Sequence, residues 1–221
     1  MAQTRNAGKS FLKQEVMRMN EVIQNMLERR SIRKYKPEQI SDEELNLILE
    51  AGLYAPNAGG RQSSFIIVCQ DAEINNALGK INKAAFRGKM STENAYVSKD
   101  QPSIADDAYI VSAFYGAPIV LTLFSPKNFL YSGADCYMAA ANITLAAHSL
   151  GIGSCIVARA EDTFTSEFGK ELLKKWSLAE GLGNEWSIVK GYEAKIHVAL
   201  GYPADKIPNA KPRKEGRVIR I

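Results

Sequence analysis

Apolar residues along the chain keep two rhythms. Val22, Ile23, Met26 and Leu27 fall at helical spacing and predict a first helix from Met19 to Arg29. A second opens at Ser41, whose hydroxyl can cap the first turn while Glu44 returns the bond, with Leu45, Ile48, Leu49 and Leu53 as its buried stripe. Unbroken apolar runs at Phe65–Cys69 and Ile119–Phe124 predict buried strands. From Ala134 to Leu150 the chain is apolar on almost every side, which predicts a helix that needs cover on more than one face, for which a second subunit is one source. Gly151 ends that helix, Gly153–Val157 starts another strand, and Phe164, Phe168, Leu172, Leu173 and Trp176 predict one amphipathic helix after it. Lys195–Gly201 is the last expected core strand. Strands alternating with helices point to a layered α/β or α+β sandwich.

The segments between these elements carry the polar chemistry. Pro56 to Gln62 is turn-rich, and its Asn57 and Gln62 offer amide donors and acceptors. Residues from about Phe86 to Gly116, including Tyr96, Tyr109, Phe114 and Tyr115, lack sustained periodicity, as a lid or binding loop would. The tail beyond Tyr202 holds three prolines and almost no apolar run, so it is expected to lie across another surface. We expect residues 1–18 to be an N-terminal extension and 19–221 to form one domain with an extended C-terminal arm. The 46% apolar fraction suits a chain that buries a core.

A net charge of +4 favours anionic partners, but no recognition helix, zinc-finger spacing or aromatic RNA-binding motif accompanies it. Nucleic acid is therefore not expected as a partner. Cys69, Cys136 and Cys155 are odd in number, have no Cys-x-x-Cys spacing and sit in apolar surroundings, so they read as reduced core residues of a cytoplasmic protein. No apolar stretch is long enough to suggest a membrane span. His148 and His197 lie in apolar segments and read as core residues rather than catalysts. Neither a catalytic triad nor a metal-ligand cluster is visible, so no metal site is expected.

The most informative chemistry is cationic. Arg29, Arg30, Ser31 and Arg33 form a run just after the first helix, and Lys211 and Arg213 add charge near the C-terminus. Guanidinium groups form bidentate bonds to phosphate oxygens, and a serine hydroxyl can occupy a further lone pair. A solvated basic face is the plain alternative.

With these landmarks in place, the chain from about Met19 onward resembles the nitroreductase family of flavin-dependent oxidoreductases. The resemblance rests on Arg29-Arg30-Ser31-Ile32-Arg33, on Lys211-Pro212-Arg213, on the Pro56–Ser64 loop and on Gly151-Ile152-Gly153-Ser154-Cys155. It implies an α+β fold, a three-layer α/β/α sandwich with a central mixed, mainly antiparallel sheet, in an obligate homodimer with FMN at the subunit interface. It also implies that Arg29, Arg30, Ser31 and Arg33 hold the phosphate, ribityl chain and pyrimidine side of FMN, and that Lys211 and Arg213 contact the phosphate. Asn57 and Gln62 would keep the polar contacts of the loop, although Gly60 stands where the family has Asn, and Ser63-Ser64 where it has Pro-Trp. A backbone amide near Ala158 or Arg159 would meet flavin N5, and Ala158 takes the place of an acidic residue found in some members.

The implied function is transfer of hydride from NADPH or NADH through FMN N5 to a small electron-poor acceptor, such as a nitroaromatic or quinone, by a ping-pong mechanism. No catalytic side chain is needed, because FMN carries the chemistry. Alternatives are other flavin chemistry on the same fold, such as dehalogenation or dehydrogenation, and a non-catalytic flavin- or anion-binding dimer. Arg61 and Arg159 are candidates for choosing NADPH over NADH.

Overall fold

Strand β1 (Phe65–Cys69), β2 (Ile119–Pro126), β3 (Gly153–Val157) and β4 (Tyr192–Gly201) form one sheet in the order β1-β2-β4-β3, with every neighbouring pair antiparallel. This is the arrangement in a computed structural model that describes residues 20–86, 99–177 and 191–221. The expected extension 1–18, Met19 and the Tyr96 part of the long loop lie outside the described residues.

Helices cover both sheet faces. On one side α2 (Asp42–Leu53) and α4 (Ser132–Ser149) place Leu45, Ile48, Cys136, Ala140, Ile143 and Ala147 against Leu121, Leu123, Ile196 and Val198. On the other, α3 (Ala72–Ala84), α5 (Ala160–Thr165) and α6 (Glu167–Ser177) contribute Leu78, Phe164 and Leu172 to a core with Phe114, Val120, Phe124 and Ala199. Strands β2 and β4 are buried on both faces, which explains the unbroken apolar run of Ile119–Phe124. The fold is the expected α+β three-layer sandwich.

Local chemistry sets the element ends. The Ser41 hydroxyl accepts from the Glu44 amide (3.2 Å), and the Glu44 carboxylate accepts from the Ser41 amide (3.0 Å), the reciprocal cap expected at the start of α2. Gly151, at φ 74°, closes α4, with the Gly151 and Ile152 amides donating to His148 and Ala147 carbonyls. The stripe from Phe164 to Trp176 was expected to be one helix, but it is two. Ser166 breaks it, donating through its hydroxyl to the Thr163 carbonyl (2.7 Å) and accepting from the Gly169 amide (3.0 Å), so it ends α5 and caps α6. The last strand starts at Tyr192, earlier than the expected Lys195. His148 is only half-buried near the end of α4, so the expectation of a core residue holds for His197 alone.

The first helix, α1 (Glu21–Glu28), is capped by Asn20 and docks on α4 through the Asn25 amide and the Leu145 carbonyl (3.0 Å). Its Val22, Ile23, Met26 and Leu27 are all exposed. Beyond α1 the chain runs alongside the β3 edge. The Ile32 amide donates to the Ser154 carbonyl (2.9 Å), and Ser31 and Ser154 form an isolated parallel bridge along that edge, while the four strands themselves are antiparallel and not mixed. A Cβ on Gly153 would lie 3.0 Å from Ile32 side-chain carbons and 3.1 Å from the Gly201 carbonyl oxygen, so glycine permits this close approach. Further on, Lys36 bonds to Tyr202 and Ala204 to Lys34, which brings the start of the C-terminal arm beside the arginine segment.

Candidate functional site

That double pairing makes neighbours of residues separated by most of the chain. Arg29, Arg30, Ser31 and Arg33 share one cleft of about 190 Å³ with Pro208, Asn209, Lys211 and Arg213. Among the described residues no acidic one lines it. The cations are positioned unequally. Arg30 donates through Nη1 to the Leu27 and Arg29 carbonyls (2.6 and 2.7 Å), satisfying the open end of α1. Arg33 donates through Nη1 to the Gln101 carbonyl (3.0 Å), its amide is accepted by the Gln101 side chain, and its guanidinium lies 5.8 Å from the Tyr115 ring centre. Arg29 is half-buried, and burial lowers its pKa from the ordinary value, yet an arginine stays charged at neutral pH. Arg213 and Lys211 are exposed. Like charges held this close repel one another, so an anion with several oxygens is the complement.

At the far end of β3 lies a second feature. Ala158 is exposed, and Arg159 adopts the left-handed conformation (φ 66°, ψ 31°) that costs a residue with a Cβ roughly 1–2 kcal/mol. Ser154, beside the arginine segment, is four strand residues from Ala158, a separation of roughly 13 Å at the usual strand rise. The Arg159 guanidinium turns into the protein, donating from Nη2 to Asn82 Oδ1 (3.1 Å) and from Nε to the Asn82 carbonyl (3.3 Å), and lies 5.2 Å from the Phe86 ring centre. Arg61 lies 5.6 Å from the Phe129 ring centre.

Asn57 and Gln62 form a third feature, apart from the basic cleft. Asn57 Oδ1 accepts from the Gln62 amide (2.9 Å), and both line a separate cavity of about 150 Å³ with Ser64 and Asp135. The turn is anchored by Asp135, whose Oδ1 accepts from the Ala58 amide (3.0 Å). One chain thus unites the arginine–serine run and the Lys211/Arg213 pair, and it keeps Asn57 and Gln62 elsewhere. Sequence reasoning missed Asn82, Gln101 and Asp135. Nothing in the spacing around Asn82 or Asp135 marks either as special, because their roles come from contacts between distant segments.

His197 lies behind the second feature, fully buried, with Nδ1 bonded to Thr122 Oγ1 (2.9 Å) and Nε2 near Thr163 Oγ1 (3.3 Å). Burial, reinforced by the positive charge of Arg159, pushes its pKa down to about 3. It is a neutral structural imidazole near pH 7.

The fold and the basic cleft define a layered α+β protein with a cationic cleft on the edge of its sheet. Comparison with known proteins then gives the family: residues 26–183 match the nitroreductase family model, and the chain belongs to the nitroreductase family. It is 32% identical over 190 residues to an Archaeoglobus fulgidus protein that carries the name NADH dehydrogenase/NAD(P)H nitroreductase, a match covering 85% of this chain and 88% of that one. It is 28% identical to the NADPH-flavin oxidoreductase of Vibrio harveyi, covering 91% of this chain and 73% of that one. A crystal structure of a Bacteroides fragilis nitroreductase with bound FMN superposes with a TM-score of 0.71 at 26% identity, over 92% of this chain and all (100%) of that one. A nitroreductase with bound FMN from Desulfitobacterium hafniense gives 0.69 at 27% identity, over 92% of this chain and 99% of that one.

Proposed function

We propose that this chain is an FMN-dependent NAD(P)H oxidoreductase that works as a homodimer on small electron-poor acceptors such as nitroaromatics or quinones. The observation that carries the reading is the basic cleft joining Arg29, Arg30, Ser31 and Arg33 to Lys211 and Arg213. Its donor set fits a phosphorylated cofactor, and buried Arg30 and Arg33 Nε atoms there have no partner. FMN held there would supply a hydride relay at N5 between NAD(P)H and the acceptor, in ping-pong turnover.

The chain's own residues bind, orient and polarise. Arg29, Lys211 and Arg213 neutralise phosphate, Ser31 adds a hydroxyl, and Arg33, fixed by Gln101, brings positive charge that favours the anionic reduced state. The Ala158–Arg159 turn offers its backbone amide to N5. Because Asn57 and Gln62 do not line this cleft, they serve the cleft of a second copy. A second copy is also the partner we assign to exposed Val22, Ile23, Met26 and Leu27 of α1 and Tyr137 and Met138 of α4. We treat 19–221 as one working unit with residues 203–221 as its arm. Among the described residues no helix is long and apolar enough to cross a membrane. The three cysteines are free and buried, and we place the enzyme in the cytoplasm.

The reading is tested by the visible spectrum of the purified protein, with identification of the released chromophore and anaerobic addition of NADH or NADPH. A yellow dimer that releases FMN and bleaches is the expected result. A colourless protein that takes up no FMN and oxidises neither nucleotide overturns it.

A further inference from the structure

The left-handed turn after β3 needs something to hold it, and one buried amide does so. Asn82 of α3, fully buried, shares the two hydrogens of Nδ2 among the Ala158 carbonyl (2.8 Å), the Arg159 carbonyl (3.2 Å) and Thr163 Oγ1 (2.9 Å). Its Oδ1 and its own carbonyl accept from the Arg159 guanidinium. Thr163 ties the other side of the turn, its hydroxyl donating to the Arg159 carbonyl (2.9 Å), and it meets His197 behind. Both carbonyls of the turn are therefore fastened to the protein. The opposite holds for its donors: among the described residues, neither the Ala158 nor the Arg159 amide N–H donates to another protein atom. An exposed peptide whose carbonyls are clamped inward and whose donors are left over is arranged to receive an acceptor atom of a ligand.

We propose that Asn82, backed by Thr163 and His197, is a positioning residue that fixes the Ala158–Arg159 peptide so that its amide hydrogens face the flavin ring. The inference rests on the FMN reading above and adds to it a residue that touches no cofactor. Asn82 thereby sets how readily the ring accepts hydride, while the arginine cleft sets how tightly the cofactor is held. A merely structural asparagine would change stability alone. A positioning one changes the ring's redox behaviour at nearly constant FMN affinity.

The test uses the full-length protein carrying Asn82→Ala, with Thr163→Val as a second variant should the first fail to fold, and Thr163→Ser as the conservative control. Three quantities are read: hydrogen exchange without FMN at the Thr163 amide, whose bond to the clamped Arg159 carbonyl (3.1 Å) reports on the turn, the affinity for FMN, and the reduction potential of bound FMN with its rate of bleaching by NADPH or NADH. Loss of the clamp is expected to speed exchange at the turn and slow bleaching by about tenfold each, the factor that one well-placed hydrogen bond supplies. The potential should move to more negative values, FMN affinity should change by less than about threefold on the same scale, and Thr163→Ser should behave as wild type. A folded Asn82→Ala protein with wild-type exchange, potential and bleaching overturns the proposal. Wild-type protein that takes up no FMN instead overturns the underlying reading, and turn exchange in the Asn82 variant then still reports whether the clamp exists.

Discussion

In the basic cleft, the charged groups stand half-buried or exposed on a loop and on an arm without regular structure. At the Ala158–Arg159 turn, every polar atom of the Asn82 side chain is partnered inside a fully buried pocket, and the neighbouring Thr163 and His197 side chains have no exposure. The difference follows from the range of the forces involved. Attraction between a guanidinium and a phosphate falls slowly with distance, so several loosely held cations suffice for affinity. A hydrogen bond to one ring atom weakens steeply with angle, so the group that makes it has to be held by a rigid interior.

The largest effect expected from breaking this contrast is on the rigid side, in acid. His197 has its pKa held at about 3, below the ordinary 6.5 of an exposed imidazole, because burial, and then the Arg159 charge, disfavour its cation. Between those values the unfolded chain binds the extra proton and the folded one does not. Its contribution is therefore intact above about pH 6.5 and is lost as pH falls toward 3, a loss on the order of a few kcal/mol. The groups facing the ring are Thr122, Thr163, Phe114, Phe164 and the charge of Arg159. His197→Gln should flatten the pH dependence of unfolding free energy across that window, whatever its stability at neutral pH. Urea titrations that show the same slope in variant and wild type would remove His197 as the acid-sensitive element.

On the cleft side, Arg29→Ala should raise the FMN dissociation constant by about 10- to 100-fold, the range for a charge-assisted hydrogen bond made by a half-buried group. Arg213→Ala, exposed, should cost only a few fold, about what screened surface charges contribute. Fluorescence titration of FMN measures both. Added salt should weaken FMN binding in wild type and leave amide exchange at the turn unchanged. An Arg29→Ala protein that retains FMN as wild type does would place the phosphate elsewhere.

The cleft was legible in the sequence because clustered Arg and Lys residues have few roles other than binding an anion or facing water. The start of α2 was legible for a similar reason, since Ser41 and Glu44 are partners three residues apart. Local signals failed where the deciding contact is distant. The spacing of Phe164, Phe168 and Trp176 continues through Ser166 as if nothing happened, and only the approach of α6 to α5 shows why it cannot. A Cβ on Gly169 would lie 2.5 Å from the Thr163 carbonyl oxygen, so the break at Ser166 and the glycine belong to one tight corner. Asn82 is an extreme case, an amide between Ile81 and Lys83 whose partners lie more than seventy residues on, by a separation of 76 or 77 positions. The Asn57–Gln62 loop was legible as polar, but its distance from the cleft in one chain could be seen only in three dimensions.

The smallest expected effect separates strain from attachment at the turn itself. Arg159→Gly removes a left-handed Cβ, a gain of roughly 1–2 kcal/mol. It also removes two hydrogen bonds to Asn82 and the contact with Phe86, at roughly 0.5–1.5 kcal/mol for each bond and about 0.5–1 for the ring. The losses come to about 1.5–4 kcal/mol against that gain, so the glycine variant should be less stable than wild type by about 1 kcal/mol. Arg159→Ala loses the same contacts and keeps the strain, and it should be less stable than the glycine variant by the left-handed penalty less the roughly 0.4–1 kcal/mol that glycine's freer unfolded chain costs. Thermal unfolding of the pair therefore measures strain less that unfolded-chain term, free of the contacts both have lost. Equal melting temperatures would mean that the left-handed conformation costs no more than that entropy term, about 0.4–1 kcal/mol, once Asn82 holds the two carbonyls.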